Sequence, residues 1–188
     1  MSRNINKNNA CIGNIKKVIE KNSGICLDIG AGENRQAGFV TLDRRPLPNI
    51  DIVHDLESFP YPLPNECCLT IIGSHIIEHL SPKVTIDFFN ELWRIIKPNG
   101  QLALSTPYAG SPGFWQDPTH CNGFSEVTFL YFDPKSPLYG IYKPKPWKID
   151  KGFPVWQNTG NLEVMMRKMS IEDSEKVLEE LNNAKKET

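Results

Sequence analysis

Apolar residues along the chain fall into short runs separated by glycine, proline and polar turns. Ile25-Cys26-Leu27-Asp28-Ile29 stops at Gly30-Ala31-Gly32, a pattern that predicts a buried strand ending in a glycine turn. Two strand-length segments follow, Phe39–Asp43 and Ile50–Asp55, and both end in aspartate. Cys67–Gly73 is a further apolar run of strand length. Ser81-Pro82 then predicts a helix start, because serine accepts from free helical amides and proline is tolerated at the first helical position. Val84, Phe88, Leu92 and Ile95/Ile96 recur as its buried stripe, with Asp87, Glu91 and Arg94 facing water. Pro98-Asn99-Gly100 ends that helix, and Gln101–Ser105 is the next strand.

Outside this block the pattern is sparser. Ile12, Ile15, Val18 and Ile19 predict a helix over residues 10–22, with Gly24 beyond its end. Pro107, Pro112 and Pro118 predict a loop without regular elements from Thr106 to Phe124. Ser125–Phe132 reads as a short helix. Ile141–Val155 reads as a strand, and its Pro144 and Pro146 confine it to a sheet edge. Leu162–Met169 is another strand. From Ile171 on, a polar helix carries a thin stripe of Val177, Leu178 and Leu181.

Composition narrows the class. The chain has 188 residues, which fits one domain burying roughly 70% of its unfolded surface. A net charge of -1 argues against a general nucleic-acid binder, which needs a basic excess. No apolar run is long enough for a membrane span, and the first residues lack the apolar core of a secretory signal. The five cysteines, Cys11, Cys26, Cys67, Cys68 and Cys121, are odd in number and show no CxxC spacing, so a reduced, cytoplasmic protein is expected. Cys26, Cys67 and Cys68 lie in apolar runs and are expected to be buried small hydrophobes.

The candidate chemistry lies between Asp28 and Asp55. In an open parallel sheet, ligands bind outside the carboxyl ends of the strands. Gly30 and Gly32 allow backbone to approach a ligand closely. Asp43 can accept two hydrogen bonds from a ribose diol, and Asp55 or the Leu56 backbone can meet an adenine amine. Asp43 and Asp55 read singly are ordinary turn residues. A dinucleotide site is disfavoured, because Arg35 stands where the third glycine of G-x-G-x-x-G belongs and Asp43 comes too early.

Five ordered segments carry a family resemblance: LDIGAGENR with FVTLD, HDLESFPYP, IIGSHIIEHL, and ELWRIIKPNGQLALSTP. Over residues 24–107 the chain resembles the class I S-adenosylmethionine-dependent methyltransferases. The resemblance implies a doubly wound, mostly parallel seven-stranded α/β sheet of Rossmann-like type, with an antiparallel strand near one edge. It implies one domain over residues 1–188: a cofactor-binding core at 24–107, substrate-side loops and an edge strand at 107–160, and a polar C-terminal helix or tail at 171–188. Its cofactor is S-adenosyl-L-methionine. Asp28, Gly30, Ala31 and Gly32 are implied to cradle the methionine part, Asp43 the ribose, and Asp55 and Leu56 the adenine. Ser74 and His75 are implied to face the methyl-bearing sulfur, with Pro107–Phe124 as the substrate wall. The chain departs from the family in its crossovers. Only Glu33–Gly38 and Arg44–Asn49 join the first three strands, too few for the usual crossover helices, so reduced or missing helices and a thinly covered sheet are expected.

The reaction implied is methyl transfer to an oxygen or nitrogen of a small-molecule acceptor. Nucleic acid stays open as an acceptor, and no membrane partner is expected. A homodimer is one way to cover the sheet. A non-catalytic cofactor-binding or partner subunit on the same scaffold is the alternative. His120, in Gln116-Asp117-Pro118-Thr119-His120, is a candidate base oriented by Asp117, and His75 competes with it. His75-Ile-Ile-Glu78-His79 has the spacing of a zinc-protease helix, but zinc needs a third protein ligand and a water, and the run directly follows a strand and sits close to Ser81-Pro82 rather than within a longer helix. No metal is therefore expected, and Glu78 and His79 are expected to pair with backbone at the helix entry. Lys143, Lys145, Lys148 and Lys151 with Tyr142 and Trp147 read as a charged edge strand that discourages sheet pairing.

Overall fold

Residues 13–184 are described by the computed structural model. Five strands pair in parallel: β1 (Ile25–Ile29), β2 (Phe39–Asp43), β3 (Ile52–Val53), β4 (Cys68–Ser74) and β5 (Ile96–Pro107). Three more, β6 (Trp147–Ile149), β7 (Val155–Trp156) and β8 (Asn161–Lys168), complete one sheet of order β3-β2-β1-β4-β5-β8-β6, with β7 also on β8. β8 runs antiparallel to β5, from Gln101 opposite Arg167 to Pro107 opposite Asn161. β6 and β7 pair with different stretches of β8, Met166–Lys168 and Leu162–Glu163. The outer edge is thus one strand position interrupted at residues 150–154, and eight strands fill the seven positions implied by the sequence.

Pleating sorts the sheet residues onto two unlike faces. Leu27, Ile71, Leu102 and Met166 form one fully buried row across β1, β4, β5 and β8. The alternate row, Asp28, Ile72, Ala103 and Met165, is only partly buried. No helix joins β1 to β2 or β2 to β3, as the short crossovers predict, and none joins β3 to β4. Cys67 and Cys68 are buried as expected, whereas Cys26 points to the thinly covered face and is half-buried. Cys11 and the first residues of the expected 10–22 helix lie outside the described residues.

Helices cover the buried face. α1 spans residues 13–22. α2 (Thr85–Ile95) follows a 3-10 turn at Pro82–Val84, and packs Phe88, Phe89, Leu92 and Ile95 into the core. Ser81 does not cap it through its side chain; its amide instead donates to Glu57 Oε1. Glu91 is buried rather than water-facing, because its carboxylate accepts from the Tyr61 amide (2.6 Å) and from Arg94 (2.6 and 2.8 Å). That pair ties down the helix-free segment before β4, whose Leu56, Tyr61 and Leu63 enter the core. Pro98-Asn99-Gly100 is not a break before the strand but a bulge inside β5, with Asn99 at φ 59°.

The remaining helices are short. α3 (Pro112–Gln116) interrupts the region expected to be loop, with Pro112 at the tolerated first position. α4 (Glu126–Leu130), shorter than the expected Ser125–Phe132 helix, is held by a reciprocal cap between Ser125 and Thr128. α5 (Tyr139–Tyr142) occupies the start of the expected Ile141–Val155 strand, so Pro144 and Pro146 precede β6 rather than lie within it. α6 (Ile171–Ala184) is largely exposed, with Val177 and Leu178 half-buried. Among the described residues no helix is long and apolar enough to cross a membrane.

Candidate functional site

The chain leaves β1 towards β2 and β3 on one side and reaches β4 and β5 on the other. Sheets of this order open a crevice at such a reversal, beyond the carboxyl ends of the strands. The turn after β1 needs glycine. Gly30 has φ 66°, and a Cβ there would lie 2.5 Å from Ile76 Cγ1. The Gly30 and Ala31 amides donate to the Leu42 carbonyl at 2.8 and 3.3 Å, and the Gly32 amide donates to Asp43 Oδ2 at 2.9 Å.

A polar clasp replaces the missing crossover helices. Arg35 forks onto both oxygens of Asp51 at 2.8 and 3.2 Å. Asp51 Oδ2 also accepts the Thr41 amide at 3.1 Å. The Thr41 hydroxyl donates to the Asn49 carbonyl at 2.7 Å, and the Asn49 amide side chain donates to the Gly32 carbonyl at 2.9 Å. The expected strand Ile50–Asp55 shrinks to Ile52–Val53 because Asp51 is used in this clasp and Asp55 lies in the turn that follows, accepting the Glu57 amide.

Two cavities meet at Gly30. One, of about 480 Å³, is lined by Asp43, Arg45, Asp55, Leu56, His75 and Ile76 among others. The second, of about 550 Å³, opens on the partly buried sheet face against Asp28, Ala31, Ser74, Ser105 and Glu163. Burial pushes the Asp28 carboxyl up to about 6. Asp43 goes the other way. Burial opposes its charge, but the Arg45 amide and guanidinium and the Gly32 amide outweigh that and hold it below the usual carboxylate range. Arg45 Nε is 3.3 Å from Asp43 Oδ1, on a side chain that is 53% exposed.

The acceptor-side residues gather around Glu78. His75 follows β4 at φ 52°, a left-handed conformation uncommon for a residue with a side chain and concentrated at functional sites. Its Nδ1 lies 3.3 Å from Glu78 Oε1, and its Nε2 is 3.3 Å from Asn161 Nδ2. Glu78 is completely buried. The side chain does not pair with backbone as expected: Oε2 accepts the Thr106 hydroxyl at 3.1 Å, and Oε1 has no hydrogen-bond partner. His79 Nδ1 pairs with Thr119 Oγ1 at 2.9 Å, again a side chain. His120 Nδ1 meets the Phe114 carbonyl at 2.7 Å. That carbonyl, not Asp117, orients the ring; Asp117 Oδ2 stands 3.9 Å from His120 Nε2.

Asp28, Gly30, Ala31, Asp43, Asp55, Leu56, Ser74 and His75 therefore all line the paired cavities. Gly32 is tied to Asp43 beside them. His120 does not line either cavity; its side chain is 7% exposed and stands behind Glu78. Sequence reasoning missed Arg45, whose signal was its position two residues after Asp43, and the Arg35–Asp51 clasp, which has no local signature.

No family model matches the chain, and no curated protein does. Solved structures match in shape. A SAM-dependent methyltransferase from Archaeoglobus fulgidus superposes with a TM-score of 0.56 over 86% of this chain and 94% of its own, at 15% identity. The 16S rRNA (adenine(1408)-N(1))-methyltransferase from Catenulisporales acidiphilia gives 0.55 over 86% and 93%, at 13% identity. Haemonchus contortus phosphoethanolamine N-methyltransferase 1, solved with phosphoethanolamine and S-adenosylhomocysteine, gives 0.51 over 87% of this chain and 44% of its own, at 13% identity. The fold is that of the SAM-dependent methyltransferases.

Proposed function

We propose that the protein is an S-adenosylmethionine-dependent methyltransferase that moves a methyl group to an oxygen or nitrogen of a small-molecule acceptor in the cytoplasm. The observation that carries this reading is the meeting of two cavities at Gly30, with Asp43, Asp55 and Leu56 in one and Asp28 and Ser74 in the other. The residues fit the cofactor: Gly30 carries no side chain where the two cavities meet, and the Asp43 and Asp28 carboxylates line the cavities on either side of it. When bound, the cofactor supplies an electrophilic sulfonium methyl. Asp43 accepts the ribose hydroxyls once the exposed Arg45 guanidinium swings aside. Asp55 and Leu56 bracket the adenine, and ionised Asp28 faces the cationic methionyl end.

Ser74 and His75 stand on either side of the cavity junction, so an acceptor reaching the methyl passes them. Of the two histidines expected at the acceptor, His75 is the one that lines the crevice. Alignment of acceptor and methyl and exclusion of water supply most of the acceleration in such a displacement. A small acceptor is favoured over nucleic acid by the net charge of -1, since phosphate backbones are held by basic surfaces.

Calorimetry with S-adenosylhomocysteine tests the assignment. Asp43→Ala is expected to weaken binding by about 1.5–3 kcal/mol, the scale of hydrogen bonds to a charged group. Wild-type affinity in Asp43→Ala would remove the ribose role.

A further inference from the structure

We infer that Glu78, His79 and His120 form a binding site for a single divalent transition-metal cation of the zinc type, beside the proposed cofactor crevice. The three residues each bring a ligand atom within 4.8 Å of the others. Their hydrogen bonds leave an unprotonated ring nitrogen on each histidine. The Phe114 carbonyl only accepts, so His120 carries its proton on Nδ1 and keeps a lone pair on Nε2. Thr119 Oγ1 donates to the Asp117 carboxylate at 2.7 Å, so it accepts from His79 Nδ1 and leaves the lone pair of that ring on Nε2. Glu78 Oε1 is buried without a hydrogen-bond partner. His75 Nδ1 also stands 3.3 Å from this oxygen but not in hydrogen-bond geometry, so the buried carboxylate oxygen has no hydrogen bond to offset the cost of its burial.

A cation offsets that cost. Ligand atoms sharing one tetrahedral zinc-like ion at about 2.0–2.2 Å lie about 3.3–3.6 Å apart. His120 Nε2 and Glu78 Oε1 are 3.9 Å apart, and the cluster, whose ligand atoms lie within 4.8 Å, contracts to that spacing with shifts of about 1 Å per side chain. Both imidazoles also have the outer partners that metal-binding histidines use to fix their tautomer, a backbone carbonyl for His120 and a hydroxyl backed by a carboxylate for His79. Two imidazoles and one carboxylate with a fourth position open are a donor set suited to zinc and its neighbours rather than to magnesium or calcium. His79 and Thr119 line the cavity that holds Asp43 and Asp55. Only the role of the open fourth position, to receive an oxygen or nitrogen of the acceptor, rests on the methyltransferase reading; the binding of metal does not.

The test is a titration of the chelator-stripped full chain with Co²⁺, read by visible d–d absorption, with Zn²⁺ as competitor. One equivalent of Co²⁺ is expected to give a saturable tetrahedral-type spectrum that Zn²⁺ displaces. His79→Ala and His120→Ala are each expected to lower affinity by more than about 100-fold, beyond the roughly 10–100-fold cost of losing an outer partner, which is the loss expected for Thr119→Ala. The Glu78 carboxylate also holds the buried Thr106 hydroxyl, so the two histidine variants, checked for folding by circular dichroism, decide the matter. No saturable spectrum in the wild type, or unchanged affinity in both folded histidine variants, overturns the site in favour of an ordinary buried ion pair. Calorimetry with S-adenosylhomocysteine on the same samples separates the two readings: cobalt binding without nucleoside binding keeps the metal site and removes the methyltransferase, and the reverse removes the metal alone.

Discussion

Asp28 shows how a site residue trades stability against ligand binding. Burial on the partly covered face raises its carboxyl from 3.8 to about 6. Below pH 3.8 it is protonated in folded and unfolded chains alike. Between 3.8 and about 6 the folded chain holds more protons than the unfolded one, so stability falls as pH rises, and the penalty is complete above that window. Asp28→Asn is therefore expected to raise the melting temperature at neutral pH and to leave it nearly unchanged at about pH 3.5. The same substitution is expected to weaken S-adenosylhomocysteine, because the charge that costs stability is the one proposed to face the methionyl ammonium. Wild-type binding is likewise expected to weaken below about pH 6, the value reached by Asp28. Melting curves and calorimetry across that range check both signs; a melting temperature for Asp28→Asn that matches wild type at every pH would remove the linkage.

At the scale of elements, the clasp around Asp51 does the work of two crossover helices. Its members are unequal. Thr41 is completely buried, and its amide relies on Asp51 Oδ2. Asp51→Ala leaves that donor unsatisfied, at a cost of about 1–3 kcal/mol. The Arg35–Asp51 pair is more exposed, with 47% of the arginine side chain in water, and Arg35→Ala is expected to cost about 0–1 kcal/mol. Urea unfolding of the two variants checks the order; equal losses would mean that the ion pair, not the Thr41 amide, holds the segment. The elements with strong periodic signals were legible in sequence: β1, β2, β4 and the body of α2 lie within a residue or two of where the pattern puts them. The termini were not. Ser81 was a plausible cap by type, yet Glu57 from a distant turn takes its amide, and Glu91 was polar by type, yet Tyr61 and Arg94 make burial tolerable.

At the scale of the whole molecule, a ligand spanning both cavities would touch β1, β2 and the turn after β4 at once. Binding only the folded chain stabilises it by about 2.7 kcal/mol at a hundredfold excess over Kd. S-Adenosylhomocysteine is expected to raise the melting temperature accordingly, and NAD is not, because Arg35 is committed to Asp51 where a dinucleotide loop needs glycine. A scanning-fluorimetry shift with NAD and none with S-adenosylhomocysteine would reverse the cofactor assignment.

The order of strands, the glycine turn with Asp43 behind it, and the absence of room for crossover helices are written locally, in runs of neighbouring residues whose spacing sets periodicity and length. These the sequence by itself determined. The company kept by Glu78 is of another kind. Its neighbours His120 and Thr106 are 42 and 28 residues away, and no pattern of nearby residues reports which distant side chains will face a buried carboxylate. His120 comes from the loop after β5, folded back so that the Cys121 and Asn122 amides donate to the Glu78 carbonyl. Only tertiary structure decided that, because the convergence follows from how β4 and β5 lie side by side and where the chain goes once it leaves them.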